Sequence, residues 1–278
     1  MANIFEYTII QWMLFFYIYC FLGWCVESSI VSYSQKRWVN RGYLTLPMLP
    51  IYGSGAIVVL FVSLPVRNSV ILVYFFGMIA ATVLEYITGW AMESILKVKY
   101  WDYTGKFGNV KGRICLTSSL FWGVLSIFMT YIIHNPIEKF VLSLPIFILN
   151  FSVTVITVMF LVDFIISTKK ALDFKNMLEY MAKTREKIEA LYTELEEKGK
   201  AFKESLGDKI EESIENQKAK SDVKTEEIMK KIALLNKERE EAMEKMAKFY
   251  GILKANPTVT SKYFQRALKE IRERMKQR

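Results

Sequence analysis

The sequence predicts an all-α, polytopic membrane protein: five transmembrane helices followed by a cytoplasmic tail built as a helical hairpin or coiled coil. Three observations predict it. Apolar residues gather in five runs of near-span length before residue 167. Charge is divided unevenly, with ten Lys/Arg and seven Asp/Glu in residues 1–166 against 27 and 21 in residues 167–278. Beyond the last apolar run, hydrophobic residues recur at heptad spacing. The expected division is a membrane domain over 1–167 and a charged cytoplasmic helical domain over 168–278.

The spans fall at about 7–32, 48–64, 70–95, 115–133 and 140–166. The first begins MANIFEYTII, without a basic n-region or small-residue cleavage site, and reads as an uncleaved span. The second opens NRGYLTLPMLPIYGSGA. Pro47 and Pro50 mark its start, Gly53 and Gly55 follow just inside, and few apolar residues remain before Pro65. A short, Gly/Pro-interrupted span fits a transport site and equally a small-residue packing face. The third contains Glu85, in LEYITGWAMES, and leads into the polar loop KYWDYTGKFGNVKGRICL. Loops one and three carry Lys36, Arg37, Arg41 and Lys97, Lys99, Lys106, Lys111, Arg113, whereas loop two has only Arg67. Lys169, Lys170 and Lys175 follow the fifth span. The positive-inside rule therefore places the N-terminus outside and loops one and three and the tail in the cytoplasm of a plasma-membrane protein.

In the tail, Phe174, Met181, Ile188, Leu195 and Phe202 recur every seven residues, with Leu178, Tyr192 and Leu206 four residues after members of that series. Ile232, Leu235, Arg239, Ala242, Met246, Phe249 and Leu253 form a second seam, and the polar stretch ENQKAKSDVKTEE lies between. The pattern predicts two helices, about 168–214 and 224–254, paired as an antiparallel hairpin or as an intermolecular coiled coil. After Pro257, Ser261 is placed to cap a last helix bearing Phe264, Leu268, Ile271 and Met275 on one face. Residues 262–278 hold seven basic and two acidic side chains, so this helix suits the hairpin or an anionic membrane surface.

Composition also excludes. The net charge of +9 is carried by mixed-sign helical faces behind membrane spans, which argues against nucleic acid as a partner. Cys20, Cys25 and Cys115 are odd in number and lie in or beside apolar runs, so no disulfide framework is expected. The single histidine, His134, rules out a histidine-based zinc cluster or a Ser-His-Asp triad. Neither GSG at 53–55 nor GKFGNVKGR at 105–113 matches a phosphate-binding P-loop, so ATP-driven work would need a separate ATPase subunit. No catalytic group, metal or cofactor is expected, and the chain reads as a non-enzyme.

What remains is a set of acids where hydrocarbon is expected. Glu27, Glu85 and Asp163 fall near the cytoplasmic ends of the first, third and fifth spans, and a lipid-facing carboxylate there is costly. Each acid serves either a site or helix packing. The candidate binding site joins Glu27, Arg41, Tyr52, Glu85, Trp101, Asp102, Asn109 and Arg113, with the acids pairing Arg41 and Arg113 or taking up a cation.

FLGWCVESSI, VNRGYLTLPMLPIYGSGA, LEYITGWAMES, YWDYTGKFGNVKGRICL and SSLFWG follow one another in the order of the CmpB-like family, described as putative ABC-transporter type IV or ABC transporter permease. The resemblance covers about residues 12–135, with Leu46 standing where the family more often has glycine. It implies a permease of unassigned substrate. Two other readings stand beside it: a membrane scaffold or sensor whose residues 168–278 recruit a cytoplasmic protein or a second copy, and a lipid-acting membrane enzyme using the carboxylates as acid and base.

Overall fold

In the computed structural model, residues 7–205 and 211–277 are described, without the side chains of residue 199 and residues 201–223. Described residues are helical and loop segments with no strand; only two isolated bridges occur, Lys99 with Thr260 and Val110 with Ile114. Four helices among them are long and apolar enough to cross a membrane: Ile9–Gln35, Val70–Leu96, Leu116–Ser143 and Ile146–Lys198. The second apolar run forms a shorter helix, Pro50–Val66.

Helix α1 (Ile9–Gln35) opens with a capping box. The Thr8 hydroxyl accepts the Gln11 amide at 3.3 Å, and the Gln11 side-chain oxygen accepts the Thr8 amide at 2.8 Å. It closes on Lys36 in the left-handed region, φ 51°. Helix α2 (Pro50–Ser63) has proline in its first turn, where the missing N–H costs nothing. The Leu49 amide donates to the Cys20 carbonyl at 2.9 Å, about four turns before the end of α1, so residues 36–49 run back along that helix. The glycines of this region are packing positions. A Cβ on Gly53 would stand 2.7 Å from the Phe16 carbonyl oxygen and 2.4 Å from Cys20 Sγ, and one on Gly23 would stand 2.3 Å from Tyr52. Small residues thus let α1 and α2 approach closely.

Segment 36–49 is held by side chains rather than by secondary structure. Ser32 and Ser28 of α1 accept the amides of Val39 (2.9 Å) and Arg41 (3.1 Å). One Asp163 oxygen accepts the amides of Thr45 and Leu46, both at 2.9 Å. Irregular backbone beside apolar helices needs such partners.

Helix α3 (Val70–Leu96), capped by Ser69, packs on α4 (Leu116–Phe128). Ser126 lies where a Cβ on Gly77 would be. One π turn, Met129–Ile133, joins α4 to α5 (His134–Ser143). The His134 amide donates to the Met129 carbonyl across the widened turn, and Pro136, which has no N–H for the carbonyl of Ile132, follows it. The helix therefore continues beyond the expected end at 133 and stops at Leu144, whose extended backbone (φ −71°, ψ 132°) precedes Pro145. Outward faces remain apolar, with Ile71, Phe75, Ile79, Val83 and Ile87 of α3 exposed. This is the surface a bilayer solvates.

The chain divides into two compact units: Met1–Leu172 with Gly251–Tyr263, and Asp173–Tyr250 with Phe264–Arg278. In the first, segment 251–263 is tied to the loops. Lys99 and Thr260 exchange backbone bonds at 2.8 and 2.9 Å, and Asn256 donates to the Gly42 carbonyl at 3.0 Å.

In the second unit, α6 (Ile146–Ser205, entering at Asp173) lies antiparallel to α7 (Glu211–Lys245). Phe174 meets Phe249 with ring centroids 5.8 Å apart, Tyr180 donates to Glu238 at 3.2 Å, and Ile188 packs with Ile228 and Ile232. Helix boundaries differ from the expected ones. The polar stretch 215–227 belongs to α7, its Glu, Gln, Lys and Ala residues favouring helical backbone. Phe202 lies outside the described side chains, and Leu206, with the connection 206–210, outside the described residues. A 3₁₀ turn, Met246–Phe249, separates α7 from α8 (Tyr250–Ala255). Helix α9 (Gln265–Gln277) buries Leu268 and Ile271. The Ser261 hydroxyl donates to the Lys97 carbonyl at 2.6 Å and accepts the Tyr263 amide at 3.2 Å.

Candidate functional site

The eight residues singled out in the sequence all lie in the first unit, but they form linked clusters rather than one ring of charges. Glu27, on α1, is bound by Arg41 Nε at 3.3 Å and by the Tyr52 hydroxyl, from α2, at 2.9 Å. Arg41 is fixed from the other side by Asn256, whose Oδ1 accepts at 2.8 Å. The expected Glu27–Arg41 pair is thus present, with Tyr52 as its third member.

Glu85 is 5% exposed and takes three neutral donors: Trp122 Nε1 at 2.9 Å, the Tyr103 hydroxyl at 3.1 Å and Ser118 Oγ at 3.4 Å. No cation pairs with it among the described residues. Burial, and then the neighbouring carboxylate, push the Tyr103 hydroxyl above the ordinary phenol range, so it remains a donor. Trp122 also connects the two acids, since its ring meets that of Tyr52 edge-on at 6.4 Å.

Arg113 does not reach Glu85. Its Nε and Nη2 both donate to Glu93 Oε2, at 3.0 and 2.8 Å, and its Nη1 donates to the Tyr86 hydroxyl at 3.1 Å. Glu93 is buried and also lies 3.7 Å from Lys262 Nζ through its other oxygen. Burial works against the guanidinium charge, but the bonds to Glu93 outweigh it and hold Arg113 above the usual arginine range.

Trp101, Asp102 and Asn109 hold the loop that supplies Arg113. Trp101 donates to the Arg113 carbonyl at 2.8 Å and lies over Gly89. Asn109 donates to the carbonyls of Thr104 and Lys106, both at 3.0 Å, and accepts the Gly112 amide at 3.2 Å. Asp102 accepts from the Thr104 amide (3.1 Å) and hydroxyl and from the Thr260 hydroxyl (3.1 Å), with Lys99 at 3.4 Å. Its partial burial raises the carboxyl, but these bonds prevail and hold it below the usual carboxylate range. Gly112, at φ 69°, leaves room for this carboxylate; a Cβ there would stand 2.4 Å from Asp102 Oδ1.

Sequence reasoning missed Glu93, Tyr103, Ser118 and Trp122. Each stands inside a motif that carries the family resemblance, and Ser118 and Trp122 sit one turn apart on α4, a spacing that marks a shared helix face. The three donors offset part of the cost of burying the Glu85 carboxyl, while Glu27 is held by Arg41 and Tyr52. Among the described residues no group of three or more His, Cys, Asp or Glu is placed to hold a metal ion.

Apolar helices of span length around a buried polar cluster define a multi-pass membrane protein. The family model described as putative ABC-transporter type IV matches residues 14–168, and the chain belongs to that family. No curated protein and no solved structure matches it.

Proposed function

We propose that the chain is a permease subunit of an ABC-type transport system, with its polar site at the cytoplasmic side of the membrane around Glu85 and Glu27. The observation that carries this is Glu85 itself. A buried carboxylate among apolar helices is costly, and here it is cradled by a phenol, an indole and a hydroxyl with no cation beside it among the described residues. Purely structural acids in the same unit are used differently: Glu93 is paired with Arg113, and Asp163 is occupied by two amides. In this reading Pro50–Val66 is the fifth crossing. Its 17 residues give about 25 Å of helix against a hydrocarbon core of about 30 Å, so the bilayer thins locally around it. The N-terminus lies outside and the tail in the cytoplasm. The chain carries no catalytic group of its own, and a separate ATPase subunit supplies the energy.

The test is purification of the tagged full chain from native membranes. The expected result is co-purification of a subunit with a P-loop, with ATP hydrolysis by the complex retained in lipid and altered by Glu85→Gln while the complex stays intact. Recovery of soluble proteins bound through residues 173–250, with no ATPase, would replace the permease with a scaffold. That second reading draws on the charge-rich antiparallel helices of the second unit.

A further inference from the structure

A second buried polar cluster lies nearer the start of α1, apart from the Glu27–Glu85 site. His134 is fully buried and Glu138, one turn later on the same helix, is 3% exposed. The Tyr7 hydroxyl donates to Glu138 Oε1 at 2.6 Å and lies 3.5 Å from His134 Nε2. The Tyr19 hydroxyl is 2.9 Å from His134 Nδ1. The π turn at Met129–Ile133 immediately precedes His134. Among the described residues the titratable groups at the imidazole are Tyr7 and Tyr19 from the α1 segment and Glu138 from its own helix; Phe15 lies beside the ring at 5.2 Å, and Lys139 is exposed.

The bonding fixes a direction. A neutral imidazole has one donor and one acceptor nitrogen. With Glu138 ionised, Tyr7 gives its proton to the carboxylate, so its oxygen is left to accept from Nε2–H. Nδ1 must then accept, and Tyr19 donates to it. The four groups form one oriented chain, Tyr19 to His134 to Tyr7 to Glu138, with its longest step at 3.5 Å.

We propose that Tyr19, His134, Tyr7 and Glu138 form a proton-binding site in which a proton taken up at Tyr19 is stored on Glu138. An incoming proton bonds to the Tyr19 oxygen as Tyr19 passes its own to Nδ1. The Nε2 proton moves to the Tyr7 oxygen, and the Tyr7 proton moves to Glu138. Three O–H or N–H bonds in the chain break and four form, the incoming proton making up the difference. All four side chains end neutral, and His134 has changed from the Nε2–H to the Nδ1–H tautomer. No imidazolium is formed.

His134 is the only histidine in the chain, so ¹⁵N-histidine labelling of the full-length protein in lipid nanodiscs reports this one ring. Magnetic resonance on acidification from about pH 8 to about pH 4 should show the Nε2–H tautomer giving way to Nδ1–H. Tyr7→Phe, which removes the hydroxyl that bonds Glu138 and faces Nε2, should keep the Nε2–H form throughout. An imidazolium signal in the unsubstituted protein, an unchanged tautomer across the range, or the same switch in Tyr7→Phe would each overturn the proposal. The unsubstituted protein decides the matter even if the variant does not fold.

Discussion

Arg113 grips a single oxygen of Glu93 through two of its nitrogens, at 3.0 and 2.8 Å, and both side chains are about nine-tenths buried. Removing one partner of such a pair strands the other in a poor solvent, at a cost of about 3–5 kcal/mol. Arg113→Ala should therefore lower thermal stability in detergent sharply, and adding Glu93→Gln should recover part of the loss. A double-mutant cycle between Arg113 and Glu85 should instead be additive to within about 0.5 kcal/mol. Coupling of Arg113 to Glu85 larger than that to Glu93 would contradict the observed pairing.

Tyr103 and Trp122 each spend their polar hydrogen on Glu85. Replacing Tyr103 by Phe leaves the ring in place and withdraws one bond to an ionised group, a loss of about 1.5–3 kcal/mol. Glu85→Gln should make that same Tyr103→Phe change cheaper, because the carboxylate charge that strengthens the bond is gone. Equal effects of Tyr103→Phe in both backgrounds would show that the hydroxyl serves some other partner.

Asp102 links the third loop to segment 251–263 through the Thr260 hydroxyl. Its carboxyl is held below its ordinary value in the folded state. The contribution is therefore present above the unfolded value of about 3.9 and is lost as pH falls through the lower folded value. Asp102→Asn should destabilise the protein at neutral pH and should flatten the loss of thermal midpoint on acidification. An acid profile identical to that of the unsubstituted protein would assign that loss to other carboxylates.

The antiparallel seam of the second unit rests on Ile188, Ile228 and Ile232. Ile232→Asp places a charge in a site that is 4% exposed, where an unpaired carboxylate is strongly disfavoured. Helical circular dichroism of the full chain should show an earlier loss of helix on heating, while Lys230→Asp, two residues away and losing only an exposed pair with Glu226, should change far less. Equal responses would mean that the seam contributes nothing to stability.

Orientation is tested by a cysteine at Asn68, between α2 and α3, which should label from outside the cell, and by a reporter after Arg278, which should be active only inside. Labelling from outside at Lys106 would invert the arrangement.

The apolar runs were readable because a span-length hydrophobic segment has few alternatives, and Glu27 and Arg41 were readable as partners because one short loop separates them. Arg113 was not. Glu85 and Glu93 both lie on α3, about 2.2 turns apart, and the apolar pattern of that helix does not say which of them Arg113 reaches; the loop geometry set by Trp101, Asn109 and Gly112 does. His134 and Glu138 escaped because Pro136 suggests a helix end, whereas a π turn carries the helix past it. The polar stretch 215–227 escaped for the converse reason: it has helical propensity but no apolar stripe to show it.

Asp163, Ser28 and Ser32 have a mechanical consequence. Segment 36–49 is anchored to two helices, with the amides of Val39 and Arg41 held by α1 and those of Thr45 and Leu46 by Asp163 of α6, so a shift of the segment strips all four of their acceptors. Those four bonds tie α1, this segment and the adjoining stretch of α6 together. Under the permease reading proposed above, opening the Glu27–Glu85 cluster would part the Tyr52–Trp122 edge contact, with α3 and α4 as the moving partner.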